Sequence, residues 1–105
     1  MEVEMTTNDE MTFKNPLSKL FELGQTVITR NAKERLNPAD VLKALNRHRV
    51  GDWGNLSESD IEENHISLQE GFRLLSAYVD RHGAKFWIIT EADRSVTTIL
   101  LPEDY

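Results

Sequence analysis

The hydrophobic pattern of residues 1–71 predicts three main helices. A capping asparagine followed by proline occurs twice, at Asn15-Pro16 and Asn37-Pro38, and each pair precedes apolar residues at helical spacing. Ser57, with Asp60 three positions later, begins a third helix. The predicted apolar stripes are Leu17, Leu20 and Phe21 before Gly24; Val41, Leu42 and Leu45 before Gly51; and Ile61, His65 and Leu68 before Gly71.

The pattern then changes to one that is typical of strands. β-branched and aromatic residues dominate positions 73–79, 85–91 and 95–101, and polar turns separate them. These segments predict an antiparallel meander of three strands. The middle one contains Phe86-Trp87-Ile88-Ile89, which is apolar on both faces. We therefore expect helices to cover one face of the sheet, and the N-terminal segments or a partner to cover the other.

The segment between the first two helices has a weaker pattern. It predicts an edge strand over residues 25–29 and a short helix over residues 30–36. The whole pattern predicts an α+β fold, in which N-terminal helices pack on a C-terminal antiparallel meander of three strands, or of four if the edge strand joins it. We expect one domain over residues 14–105, after a disordered leader over residues 1–13.

The composition narrows the classes of function. The chain has 105 residues, no cysteine and a formal net charge of −6, which disfavours direct binding to nucleic acid. The absence of cysteine excludes disulfides, thiolate nucleophiles and Cys-type zinc sites. His48, His65 and His82 lack metal-binding spacing, so no metal or other cofactor is expected. No signal peptide or membrane helix is predicted, so we expect a cytoplasmic protein without membrane contact.

Charge is distributed unevenly along the chain. Residues 25–51 contain six bases and two acids, whereas residues 52–71 contain six acids and no base. Two neighbouring helices of opposite charge can simply pair with each other. The alternative is that the acidic helix attracts a basic partner, and Glu58, Glu62 and Glu63 then belong to a binding surface.

A second candidate surface lies where the second helix ends. Residues 47–54 combine two arginines, an imidazole, a carboxylate and an indole within eight positions. Cations at a helix C-terminus can serve only to complement the helix dipole, and a tryptophan can serve only in packing. The other interpretation is a binding surface that comprises Arg47, His48, Asp52 and Trp53.

The polar loop between the last two strands is the third candidate. Hairpin loops are often polar because their side chains satisfy the turn backbone, yet functional loops have the same composition. Sequence alone leaves both interpretations open. The candidate binding residues of this loop are Thr90, Glu91, Asp93 and Arg94.

Two regions of the chain resemble a family of small, uncharacterised bacterial proteins, some of them plasmid-related. They are residues 47–54, RHRVGDWG, and the C-terminal region, in which residues 73–78 are followed by residues 87–105, WIITEADRSVTTILLPEDY. The resemblance extends over residues 20–105. It implies a mobile-element or accessory setting and no particular activity.

Two hypotheses for the function belong to different classes. The first is a non-catalytic protein that binds and modulates a larger partner, such as a host-defence or nucleic-acid-processing machine, through its acidic segment and the 90–95 loop. The alternative is a small toxin-like ribonuclease, for which the acidic net charge makes RNA capture costly. Either protein could form a homodimer through the free face of the sheet. The candidate acid, base and phosphate-binding residues of the ribonuclease are His48, Arg73, Glu91 and Arg94.

Overall fold

The computed structural model describes residues 18–105. This part of the chain forms a four-stranded sheet, three α-helices and a short 3-10 helix. The strands are β1 (Gln25–Ile28), β2 (Leu74–Val79), β3 (Lys85–Thr90) and β4 (Val96–Leu100); the helices are α1 (Arg30–Arg35), α2 (Pro38–Arg49) and α3 (Glu58–Glu70), and the 3-10 helix is Pro102–Asp104.

The sheet is mixed, and its strand order is β1-β4-β3-β2. Strands β2, β3 and β4 form the predicted antiparallel meander. Strand β1 pairs parallel to β4, with Gln25 opposite Val96 and Ile28 opposite Ile99. The prediction of an all-antiparallel sheet preceded by helices was therefore wrong, because the helices lie between β1 and β2 in the chain. A parallel pair needs such a long crossover connection, which the helices supply.

Polar caps determine where α2 and α3 begin and end. The Asn37 side chain accepts hydrogen bonds from the backbone N–H groups of Ala39 and Asp40, and Ser57 caps α3 in the same way. Gly71 ends α3 with a φ of 80°, in the left-handed region. Helices α1, α2 and α3 confirm the predicted short helix over residues 30–36 and the predicted helices that follow Asn37 and Ser57.

The first predicted helix is absent from the described part of the chain. Residues 18–24 are not helical, while residues 15–17 and the predicted leader lie outside the described residues. Long-range contacts override the local pattern here. The Leu20 N–H donates to the Arg49 carbonyl at 2.8 Å, and Phe21 is buried against Trp53.

The core lies on one face of the sheet. Side chains alternate between the two faces of each strand, and those facing the helices are the most buried. The opposite face carries a shallow apolar groove of about 280 Å³, in which the Trp87 and Tyr105 rings meet at 5.8 Å. The core clusters contain Ala32, Leu36, Ala44, Tyr78, Phe86, Ile88, Ile99 and Leu101, and Phe21, Trp53 and Leu74.

Other parts of the chain cover the outer edge of β2. The Asn64 amide donates to the Leu75 carbonyl at 2.7 Å, and its oxygen accepts from the Leu75 N–H at 3.1 Å. The next outward-facing residue, Ala77, bonds to Trp53 and Asn55. The backbone groups that this edge would otherwise expose at these two residues are therefore satisfied.

Candidate functional site

A groove of about 620 Å³ lies between α3 and the loop that joins β3 to β4. It brings together two regions that the sequence analysis treated separately, the acidic helix and the 90–95 loop. Two apolar side chains are exposed there, Ile66 at 45% and Phe72 at 56%. The lining residues are Glu63, Ile66, Ser67, Phe72, Arg73 and Ala92.

Arg94 joins the loop to the end of α3. Its guanidinium donates to the carbonyls of Phe72 at 2.7 Å and of Ser67 and Glu91 at 3.1 Å. Its backbone is left-handed, with a φ of 62°, a conformation that non-glycine residues rarely adopt. The guanidinium also interacts favourably with the negative, C-terminal end of the α3 dipole. Arg94 therefore holds the 90–95 loop against the end of α3 by bonding to the backbone.

The other charged residues of the loop region have different roles. Asp93 accepts hydrogen bonds from the Ser95 hydroxyl at 2.6 Å and the Ser95 N–H at 3.0 Å, and the hydroxyl bond is the main reason that the pKa of Asp93 is lowered. Glu91 is half-buried, and its Oε1 lies 3.4 Å from Nε of Arg73. Asp93 thus holds the turn, whereas Glu91 and Arg73 form an ion pair beside the groove.

The carboxylates of α3 point into solvent. Within residues 18–105, no lysine or arginine forms an ion pair with any of them, and the His65 imidazole lies 3.9 Å from Glu62. On α2, Arg47 instead pairs with Asp52 of the following loop, at 2.7 and 3.1 Å. The interpretation that two oppositely charged helices neutralise each other is therefore not supported. The exposed acids of α3 are Glu58, Asp60, Glu62, Glu63 and Glu70.

His48 is completely buried rather than on the surface. The Phe21 and Trp53 rings flank its imidazole, with centroids at 5.2 and 5.6 Å. The Ser76 and Thr90 hydroxyls lie 2.5 and 2.9 Å from its two nitrogens. Burial, and next the charge of Arg94, lowers the pKa of His48 to about 3. The imidazole is therefore neutral at physiological pH.

A directed chain of hydrogen bonds assigns the tautomer of His48. Thr97 donates to the Leu23 carbonyl at 2.6 Å, so its oxygen accepts from Thr90 at 2.7 Å. Thr90 has then used its proton and must accept from Nε2 of His48. Ser76 donates to the remaining nitrogen, Nδ1. Every member of this buried chain is satisfied, which is typical of polar groups that specify a core.

The residues around the end of α2 form a structural corner. The Arg47 guanidinium lies 4.9 Å from the centre of the Tyr78 ring, and the Tyr78 hydroxyl donates to the Asp52 carbonyl at 2.7 Å. Trp53 is 4% exposed and stacks on Phe21. Arg47 and Asp52 are thus exposed but paired, whereas His48 and Trp53 are interior. The structure does not bring these four together as one accessible surface.

Of the four residues of the ribonuclease hypothesis, the structure brings Arg73, Glu91 and Arg94 together but leaves His48 buried in the core. Both nitrogens of His48 bond to buried hydroxyls, and Arg94 bonds to backbone carbonyls. Arg73 and Glu91 pair at the surface. A general acid or base must reach the substrate directly or through one water. In this conformation, His48 cannot exchange a proton with a phosphate in solvent.

Two polar residues of α3 and two of the sheet were missed by the sequence analysis. Asn64 and Ser67 are buried, whereas His65, which was predicted on the apolar stripe, is exposed. The spacing of Ile61, Asn64 and Leu68 follows the buried side of α3 and could have indicated Asn64. No local signal marked Ser76 and Thr97 as partners of a buried histidine.

Comparisons with protein-family models, with curated proteins and with solved structures found no match to this chain. In the described residues, no group of three or more His, Cys, Asp and Glu is placed to hold a metal ion. No helix of residues 18–105 has the length and apolar character needed to cross a bilayer. The function must therefore be inferred from the structure itself.

Proposed function

We propose that this chain is a non-catalytic binding protein of an accessory or mobile-element system, which modulates a larger macromolecular partner. It docks through the groove between α3 and the 90–95 loop and through the carboxylates of α3. One observation carries this proposal. Exposed apolar side chains, Ile66 and Phe72, lie next to carboxylates that no lysine or arginine of the described residues neutralises.

The partner surface is expected to combine apolar and basic residues. Glu63, Ile66 and Glu70 are spaced at i, i+3 and i+7, so they share one side of α3. Apolar side chains that enter a groove supply most of the affinity of such contacts. The surrounding carboxylates increase the association rate and exclude acidic partners. A partner segment with apolar anchors flanked by Lys or Arg fits both properties.

Two features support binding over the ribonuclease alternative. His48 has no access to solvent, and Arg94 is engaged with three carbonyls, so neither is available to a phosphate in this conformation. In addition, the carboxylates beside the groove repel RNA. Arg73 is exposed and Glu91 is half-buried, and they are the ribonuclease candidates that a solvent-borne substrate can reach.

Parallel capture experiments test the proposed surface. We expect tagged wild-type protein to retain a partner that is lost with Glu58→Gln/Glu62→Gln/Glu63→Gln and with Phe72→Ser. The control removes charges elsewhere, with Glu34→Gln/Glu103→Gln, and should retain it. Undiminished capture by both surface variants would contradict the proposal. Cleavage of RNA by pure protein, abolished by Glu91→Gln, would favour the ribonuclease instead.

A further inference from the structure

The outer edge of β1 is open in the described part of the chain. The Gln25 N–H donates to the Ser95 carbonyl, just before β4, at 2.9 Å, and the Thr29 N–H donates to the Ile99 carbonyl of β4 at 3.0 Å. Because backbone groups alternate in direction along a strand, Thr26 and Ile28 direct their N–H and C=O groups away from the sheet. All four residues of β1 are exposed, and no hydrogen bond from residues 18–105 reaches these outward groups.

Strand β1 also lacks most devices that protect an edge strand. Its sequence, Gln-Thr-Val-Ile, contains no charge and no proline, and its register with β4 has no bulge. The opposite edge, on β2, is covered by Asn64 and by residues 53–55. Strand addition is therefore possible at β1 and blocked over the centre of β2.

We propose that a second copy of this chain adds at this edge, through antiparallel pairing of two β1 strands about a two-fold axis beside Val27. In this register, Thr26 of each copy forms a hydrogen-bonded pair with Ile28 of the other, which gives four backbone hydrogen bonds. Val27 faces the partner's Val27 in the central pair without hydrogen bonds. The two sheets then form one continuous sheet. This inference does not depend on the proposed function of the groove.

Charge complementarity favours a second copy in this direction. Glu22 precedes β1 and Arg30 follows it, and both are exposed. Antiparallel pairing brings Glu22 of one copy to the end of the strand at which the partner's Arg30 lies, whereas parallel pairing in register would align like charges. Glu22 also forms an ion pair with Lys19, at 2.9 Å. Both side chains are exposed, so dissolved salt weakens this pair. Because the strand is short, the dimer should be weak and dependent on concentration.

Single-cysteine variants test the register, since the chain has no cysteine of its own. Val27→Cys would place two thiols in a pair whose Cα atoms lie about 4.5 Å apart, within reach of a disulfide. Gln25→Cys is the matched control on the same face, because the two copies of residue 25 would be roughly 13 Å apart. We expect Val27→Cys to form a disulfide-linked dimer at least about tenfold faster. Equal rates would overturn the proposed register.

Thr26→Pro separates dimerisation from folding, because it removes an N–H that points away from the sheet. In sedimentation equilibrium, we expect the weight-average mass of the wild-type protein to rise above 12.1 kDa as its concentration increases. The mass of Thr26→Pro should remain at 12.1 kDa at every concentration. If Thr26→Pro does not fold, Val27→Lys, which places like charges at the axis, serves instead. A wild-type mass of 12.1 kDa at every concentration, or dimers of the folded variant, would overturn the proposal.

Discussion

His48 and Glu63 lie on successive helices, α2 and α3, yet their surroundings are opposite. His48 is wholly buried, and hydroxyl groups occupy both of its nitrogens. Glu63 is exposed beside a groove, and no base of the described residues pairs with it. A buried polar group must form its hydrogen bonds within the fold, so its donor and acceptor atoms are not available to a ligand. An exposed carboxylate contributes little to stability and remains available for recognition.

Helix α3 shows both situations in adjacent residues. Asn64, next to Glu63, is 4% exposed and bonds to both backbone groups of Leu75. A neutral amide on the buried side of the helix therefore bonds to the sheet, beside the packed Ile61 and Leu68, while the acids of the helix face away. This arrangement predicts that changes to the buried polar residues reduce stability and that changes to the carboxylates alter binding alone.

The largest expected effect is that of His48→Ala. The substitution removes a ring packed against Phe21 and Trp53 and leaves the Ser76 and Thr90 hydroxyls without a partner. We expect a loss of about 3–5 kcal/mol in the free energy of unfolding, measured with urea.

His65→Ala is the matched control for this experiment, because His65 is exposed on α3. Its expected cost is less than about 0.5 kcal/mol. Equal costs for the two histidine variants would show that the buried hydrogen-bond chain contributes nothing to stability.

The pH dependence of stability tests the same residue without removing its packing. The pKa of His48 is about 3 in the folded protein against 6.5 for the free side chain, so the folded state resists protonation. The contribution of the neutral His48 to the free energy of unfolding is therefore complete above pH 6.5 and is lost as the pH falls toward 3. We expect a loss of roughly 2–3 kcal/mol between pH 6.5 and 4.5.

The carboxyl groups whose pKa the fold lowers contribute to stability at lower pH than this window. The Arg81 side chain, followed by its backbone N–H, lowers the pKa of Asp40 from 3.8 to about 2, so the contribution of Asp40 is lost below pH 3.8. His48→Gln should therefore give a nearly flat unfolding free energy between pH 6.5 and 4.5. A slope that persists in this variant would assign the effect to another group.

A smaller loss is expected for Asn64→Ala. It leaves the N–H and C=O of Leu75 without their side-chain partner, which should cost about 2 kcal/mol in thermal denaturation. The control is Glu63→Ala, one position away, with an expected change below about 0.5 kcal/mol. If both variants unfold at the wild-type temperature, water replaces the amide at this edge without cost.

Local patterns were sufficient for α1, α2, α3 and the meander, but not for residues 18–24 or for the location of polar groups. His48 was not recognised as a core residue because the stripe of α2 was assigned through Leu42, which is 61% exposed. The buried side instead contains Val41, Ala44 and His48, at i, i+3 and i+7. Small Ala44 gives a weak apolar signal, which concealed the position of His48.

The direction of β1 and the groove depend on contacts between residues far apart in sequence. The pattern of residues 25–29 predicted an edge strand correctly, but no local feature indicates whether such a strand pairs parallel or antiparallel. Arg94 links the 90–95 loop to the end of α3 by bonding to carbonyls that lie 22 and 27 positions earlier. The sequence showed the polar loop and the acidic helix, and the fold placed them side by side.

The smallest effect on stability is expected where the effect on binding is largest. In Glu58→Gln/Glu62→Gln/Glu63→Gln, relief of the repulsion between Glu58 and Glu62, at i and i+4, opposes the loss of a favourable charge in the first turn of α3. We expect an unfolding free energy within about 0.5 kcal/mol of wild type. The salt dependence of partner association should become weaker, because fewer charges attract the partner. An unchanged salt dependence would mean that these carboxylates do not face the partner, and that the groove binds through Ile66 and Phe72 alone.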